Sequence, residues 1–454
     1  MSSIPAASMQ RSISPLQNGL RRQHTLSWGS SPAVFVSRPY NTLHRRRLSS
    51  QTYSAALRHS TCIQSPKSRF FRDRLFSSEA ETLREIPEFA FAFDIDGVLL
   101  RSSTPLPGAS KALAYLQKNS IPFILLTNGG GKIESERVQE LSEKLGVPLS
   151  EDNFVQSHTP FKDLLDDNGP RKGLRNSTIL VTGGDGDKCR QVAESYGFKH
   201  VVTPADIITA EPDIWPFSQA FSEYYKSTAR PLPNSLDPSK AADPLKIDAI
   251  FVFNDPRDWA LDIQIIIDLL MSKQGILGTY SEMNGNTTLP DNGWQKDGTP
   301  KLYFSNPDLL WAAAYPLPRF GQGAFQAALT GVWRQATSQP KLHCITIGKP
   351  HRASYKYAEK VLNKHRTEIL GGSSVTESSP LLKVFMIGDN PESDIRGSNS
   401  YDSKSKAAWS SILVKTGVYQ DGAVPSYEPD VIVDDVLEGV KWALKERRWK
   451  GEIE

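Results

Sequence analysis

Two stretches of this chain place carboxylates at the ends of apolar runs. Phe91-Ala92-Phe93-Asp94-Ile95-Asp96-Gly97-Val98 ends in two aspartates two residues apart. Val384-Phe385-Met386-Ile387-Gly388-Asp389-Asn390 ends the same way almost three hundred residues later. Carboxylates at the carboxyl ends of buried strands lie where open α/β sheets place their active sites. Brought together, the two ends would form an oxygen-rich site suited to Mg2+, a hard cation. One of the carboxylates could also act as a nucleophile, as in reactions that pass through an aspartyl-phosphate. The chemistry these residues suggest is phosphate transfer.

The flanking sequence supplies elements to hold them. After the first strand it predicts a loop, a helix over 108–118, and a strand over 122–126 ending in Thr127-Asn128. An amphipathic helix over 133–145 follows, with Gly146 as its C-cap. A strand over 178–182 opens onto Gly183-Gly184-Asp185-Gly186-Asp187. This cluster lacks the Walker spacing and its lysine, so a tight strand-to-helix turn is preferred to a phosphate cradle. Residues 226–245 read as a surface loop. A buried strand over 249–254 leads into Asp255-Pro256-Arg257-Asp258-Trp259 and a helix over 261–271. Then come a strand over 343–347 ending in Gly348-Lys349-Pro350, a helix over 354–364, and a Gly/Ser loop at 371–380. The strand to Asp389 precedes a Ser/Lys-rich loop at 398–410, short strands over 412–414 and 431–433, and a helix from 436 onward. Such alternation points to parallel βαβ units.

The chain has 454 residues, 39% hydrophobic and 23% charged, which allows two ordinary domains plus extensions. No apolar stretch is long enough to span a bilayer, so no integral membrane segment is expected. Cys62, Cys189 and Cys344 have no CxxC spacing, which supports neither a disulfide framework nor a zinc site. The charge is lopsided. Residues 1–76 hold 12 basic residues and one acidic, leaving 41 basic against 49 acidic in the remainder, a net −8. The cationic, Ser-rich leader reads as a mitochondrial transit peptide, with Arg74-Leu75-Phe76-Ser77 near its end; a basic tail that binds nucleic acid or acidic lipid is the other reading. An acidic body argues against a nucleic-acid-binding enzyme.

Taken as an ordered set, Asp94/Asp96, Thr127/Asn128, Lys349 and Asp389 with Asn390 and Asp394 resemble the haloacid dehalogenase (HAD) superfamily of phosphohydrolases. The resemblance runs from about residue 89 to the end. It implies an α/β fold: a Rossmann-like parallel-sheet core, residues 85–169 and 339–454, with an α/β type-2 (C2) cap inserted over 170–338. By resemblance, Asp94 attacks the phosphoryl group, and Asp96 protonates the leaving oxygen and then activates water. Thr127 and Asn128 hydrogen-bond the phosphoryl oxygens or neighbouring groups, and Lys349 offsets charge beside the nucleophile. Asp94, the main-chain carbonyl of Asp96 and Asp389 hold Mg2+, while Asp394 steadies the metal shell or orients Lys349. An aspartate at position 96 favours phosphate ester hydrolysis over dehalogenation, whose halide leaving group needs no acid.

The stretch Phe304-Ser305-Asn306-Pro307-Asp308 resembles the Thr-Asn-Pro-Asp segment of the class IIA branch. Four strings resemble the mitochondrial cat eye syndrome critical region protein 5-like subgroup of that branch. They are 125–131, 156–160, 253–259 and 388–394. The implied partner is a small phosphorylated metabolite and the implied location the mitochondrial matrix. Some members carry phospholipid-synthesis labels, but nothing here resembles the Asp-rich CDP-alcohol transferase motif.

Several readings stay open at this level. Gly129-Gly130-Gly131-Lys132 is either an anion-facing backbone or a flexible helix entry with a solvated lysine. His158 is read as a satisfied structural histidine, because no nearby nucleophile requires it. Arg257, Asp258 and Trp259 fit either substrate recognition under the cap or a cap-to-cap homodimer interface. A weakly active HAD-fold interaction protein and a phosphotransferase are the alternatives to a phosphatase.

Overall fold

The run Phe89–Phe93 (β1) alternates rings with methyl groups, and alternate residues of a strand face opposite ways. Its three phenylalanines enter one core with Leu113, Leu116, Val440 and Ala443, while Ala90 and Ala92 enter another with Tyr355, Ala358 and Leu362. A strand buried on both faces belongs inside a parallel sheet, and β1 sits there. Each buried phenylalanine contributes roughly 1.5–3 kcal/mol. The computed structural model describes residues 86–167, 172–239, 243–339 and 341–453; the leader expected over 1–76 lies outside them.

Along the chain follow β2 (Phe123–Leu126), β3 (Phe154–Val155), β4 (Thr178–Thr182), β5 (His200–Val202), β6 (Ala249–Val252) and β7 (Lys301–Phe304). Then come β8 (Cys344–Thr346), β9 (Lys383–Gly388), β10 (Ala408–Val414) and β11 (Val431–Val433). They form two parallel sheets, ordered β11-β10-β9-β1-β2-β3 and β8-β7-β6-β4-β5. The helices Ala109–Lys118 and Val436–Glu446 cover one face of the first sheet, and Arg352–Ile369 covers the other. In the second sheet, Trp259–Met271 and Gln322–Thr337 pack on one face and Lys188–Tyr196 on the other. The architecture is the expected α/β one. Among the described residues no helix is long and apolar enough to cross a membrane.

Three local expectations need correction. The strand before Lys349 does not join the first sheet: Cys344–Thr346 pairs with β7, so the second sheet extends past the expected boundary at 338. The loop at 371–380 contains a helix, Ser373–Ser378. The loop at 398–410 gives way to β10 at Ala408, because Ser410 and Ser411, polar but buried, are bonded to Asp430 and Asn399. That pairing lets the strand run longer than its apolar part.

Candidate active site

Strand register gathers the site. Phe93 lies opposite Ile387 on one side and Leu125 on the other, so β1, β2 and β9 end at one level. Asp94, Thr127 and Asp389 therefore emerge from one edge. The second sheet is aligned the same way, with Thr182, Val252 and Phe304 in register and Thr346 beside Phe304. Its carboxyl edge supplies Asn254, Asn306 and the approach to Lys349. A cavity of about 300 Å³ is lined by residues from both edges, among them Asp94, Asp96, Asn128, Asp255, Asp308 and Asp389.

Asp94, Asp389 and Asp394 each offer a carboxylate oxygen, all within 4.8 Å of one another, and all three side chains are buried. Lys349, 1% exposed, places Nζ 2.6 Å from Asp94 Oδ1 and 2.6 Å from Asp394 Oδ1. Asp394 reaches the cluster through the π-helical turn Pro391–Ile395. It packs so closely over Gly388 that a Cβ there would lie 2.2 Å from its own Cβ. Three carboxylates against one ammonium leave the cluster short of positive charge, and buried like charges resist ionising together. Burial first, then the charges of Asp94 and Asp394, raise Asp389 well above the carboxylate range. Burial pushes Asp394 up to about 6 against the pull of Lys349. In Lys349, burial acts downward, but Asp394 and Asp94 outweigh it and hold the ammonium above its ordinary range. Asp394 Oδ1, though close to Nζ, receives no well-aligned hydrogen bond. An all-oxygen donor set lacking positive charge fits a hard divalent cation such as Mg2+.

The other expected residues surround this cluster. Burial, with Asp94 adding to it, pushes the Asp96 carboxyl up to about 6. Its side chain lines the cavity but is not one of the three clustered carboxylates. Thr127 Oγ1 accepts from the Gly129 N–H at 2.9 Å. Asn128 faces its neighbours instead: Oδ1 accepts from Lys349 N at 2.7 Å, and Nδ2 donates to Lys349 O at 2.8 Å and Asp308 Oδ2 at 2.9 Å. Asn390 lines the cavity and caps the next turn by accepting from Glu392 N at 3.0 Å.

The open readings now divide. Gly131 N–H donates to His158 Nε2 at 2.9 Å and Gly129 N–H to Thr127, so two of the three glycine amides are taken up inside the protein. Gly131, at φ 91°, also abuts Asn254, whose Cγ would lie 2.9 Å from an added Cβ. Lys132 lines the cavity but pairs with Glu140 and, at 3.6 Å, with Glu136. His158 is fully buried, its Nδ1 2.7 Å from Tyr196 Oη, consistent with the structural reading. Of the cap trio only Arg257 lines the site cavity. Asp258 caps the helix Trp259–Met271 by accepting from Leu261 N at 3.1 Å, and Trp259 packs its ring on Phe325. Sequence reading missed Trp311 and Arg137 as cavity residues. Neither carries a motif signal: Trp311 comes from a short ribbon, Leu310–Trp311 paired with Arg319–Phe320, and Arg137 from a polar helix face.

This fold and site define a class. The family model of haloacid dehalogenase-like hydrolases matches residues 91–199, and a HAD-hydrolase-like model matches 346–439. A Saccharomyces cerevisiae protein named mitochondrial hydrolase is 41% identical over 372 residues, 79% of this chain and 96% of its own. A Schizosaccharomyces pombe protein named as a fusion of cardiolipin synthase (CMP-forming) and mitochondrial hydrolase is 42% identical over 374 residues. That match covers 82% of this chain and 56% of the fusion protein. A solved structure of a hypothetical protein from Pyrococcus horikoshii is similar at 20% identity and TM-score 0.47, over 78% of this chain and 99% of its own. The chain belongs to the haloacid dehalogenase-like hydrolases.

Proposed function

We propose that the chain is a Mg2+-dependent phosphatase of mitochondria, hydrolysing a small phosphorylated metabolite. The observation that carries this reading is the buried Asp94–Lys349–Asp394–Asp389 cluster opening on the same cavity as Asp96. Held by Asp94, the Asp96 main-chain carbonyl and Asp389, Mg2+ would offset the charge on the phosphoryl oxygens. Lys349 does the same beside Asp94, so that an anionic nucleophile can approach an anionic ester. The Asp94 carboxylate forms a bond to phosphorus as the bond to the leaving oxygen breaks, and that oxygen takes the proton of Asp96. A water then gives its proton to Asp96 as its oxygen attacks phosphorus, and the bond to Asp94 breaks with release of phosphate. The raised affinity of Asp96 for its proton suits both steps.

Asn128 fixes Lys349 through its main chain, and so serves the reaction indirectly. A cavity of about 300 Å³ bounded by a second sheet favours small substrates. The names of two relatives and the basic composition of residues 1–76 support a mitochondrial location. Since the match spans 96% of one relative and 56% of the fusion protein, the synthase portion of that name is not carried over. The test is phosphate release by the full chain against a panel of phosphorylated metabolites. It should require Mg2+ and vanish in Asp94→Asn; activity that survives the substitution would sink the reading.

A further inference from the structure

The half of the cavity formed by the second sheet carries an unusual charge balance. Its basic neighbours already have partners. Arg257 donates Nε to Asp185 Oδ1 at 2.9 Å and Nη1 to the Asp255 main-chain carbonyl at 2.5 Å. Lys132 pairs with Glu140 and Glu136, and Arg137 with Glu140 at 3.2 Å. Two carboxyls of the lining, Asp255 and Asp308, have no ion-pair partner within 4 Å among the described residues. Asp308 accepts only the neutral amide of Asn128, and Asp255 Oδ1 is buried without any hydrogen-bond partner. Burial raises the proton affinity of Asp255, opposed by its own backbone N–H, by the charge of Arg257 and by the Gln322 backbone N–H. Burial pushes Asp308 up as well, to about 7; with no cation paired to either half-buried carboxyl, an ammonium bound here would favour their ionised forms.

A second feature lines the same cavity. Trp311 reaches it from the ribbon Leu310–Trp311, is 39% exposed, and has no aromatic or cationic partner on its ring among the described residues. An indole face and carboxyls lining one cavity together make an environment that attracts organic ammonium groups. Asn254 and Asn306 add carboxamides to the lining.

We infer that the leaving group of the substrate carries an ammonium, a phosphorylated amino alcohol, with Asp255 and Asp308 as its counter-charges and Trp311 as its apolar face. This inference rests on the phosphatase reading and adds the class of substrate. It also says what is disfavoured. A second anion on the leaving group would meet two carboxyls and no unpaired cation.

The test compares three phosphate monoesters of similar size on the full chain with Mg2+: O-phosphoethanolamine, propyl phosphate and phosphoglycolate, with p-nitrophenyl phosphate as a general reporter. kcat/KM should be about tenfold or more higher for phosphoethanolamine than for propyl phosphate, and lowest for phosphoglycolate. Asp255→Asn should lower kcat/KM for phosphoethanolamine at least several-fold more than for propyl phosphate. Trp311→Leu, at a partly exposed position, should shrink the same ratio through KM. Preference for propyl phosphate or phosphoglycolate in the wild type overturns the inference, as does a ratio that Asp255→Asn and Trp311→Leu both leave unchanged. Failure to hydrolyse even p-nitrophenyl phosphate defeats the phosphatase reading itself, and the ammonium inference with it.

Discussion

His158 lies beside the site without facing the cavity, and its chemistry is set by its neighbours. Because the Gly131 N–H can only donate, Nε2 must accept, which puts the ring proton on Nδ1, facing Tyr196 Oη. The tyrosine hydroxyl in turn donates to Glu134 Oε1 at 2.5 Å, an oxygen that also lies 3.2 Å from Lys162 Nζ. Protonating Nε2 would break the bond to the loop that follows Asn128. Burial lowers the histidine to about 4, with Glu134 opposing and Lys162 adding to the effect. The folded protein thus refuses a proton that the unfolded chain accepts at the ordinary value of 6.5. Above pH 6.5 both states are neutral and nothing is lost. As pH falls from 6.5 toward 4 the unfolded state gains a proton and native stability falls, by about 3 kcal/mol in total. Urea melts should show this slope in the wild type and a shallower one in His158→Gln, whose amide oxygen can still accept from Gly131. Parallel slopes would remove His158 from the account.

Between elements, Asn128 is the joint. Its side chain leaves β2, grips the main chain of Lys349 beyond β8 with one donor and one acceptor, and reaches Asp308 beyond β7. One carboxamide thereby ties the first sheet to two strand ends of the second. Asn128→Asp keeps the shape but turns a donor into an anionic oxygen facing Lys349 O and Asp308. It should cost about 3 kcal/mol in urea denaturation and, by loosening Lys349, at least about 100-fold in kcat. A variant with near-native stability and turnover would show that the joint is not needed. At this scale the sequence was legible where apolar runs ended in carboxylates: β1 and β9 carry the site on residues whose own pattern reveals them. It was less legible where pairing is decided by tertiary context. Nothing local tells that Cys344–Thr346 pairs with β7 instead of entering the first sheet. The helix Gln322–Thr337 carries glycines and threonines that weaken its propensity, and Phe325, Leu329 and Trp333, spaced one turn apart on one face, anchor it by burial. Trp311 had no signal, because a cavity lining is a property of two sheets meeting.

For the whole molecule, the cluster joins segments far apart in the chain: Lys349 meets Asp94 across 255 residues, and Asp389 and Asp394 arrive from beyond them both. Folding must bring three carboxylates and one lysine into a buried space, so the site is built at the expense of stability. A divalent cation bound only by the native state should return part of that cost. At free Mg2+ a hundred times its Kd, the gain is about 2.7 kcal/mol, visible as a rise in Tm relative to EDTA. Asp389→Asn separates this from general salt effects. Without Mg2+ the buried Asp389 must take up a proton on folding, a cost that Asn does not carry, so Tm in EDTA should rise above that of the wild type, while the rise on adding Mg2+ disappears because a ligand has gone. The two changes have opposite signs in one variant, which a merely structural role for Asp389 would not produce. If wild type and Asp389→Asn respond equally to Mg2+, the cation is not held at this cluster.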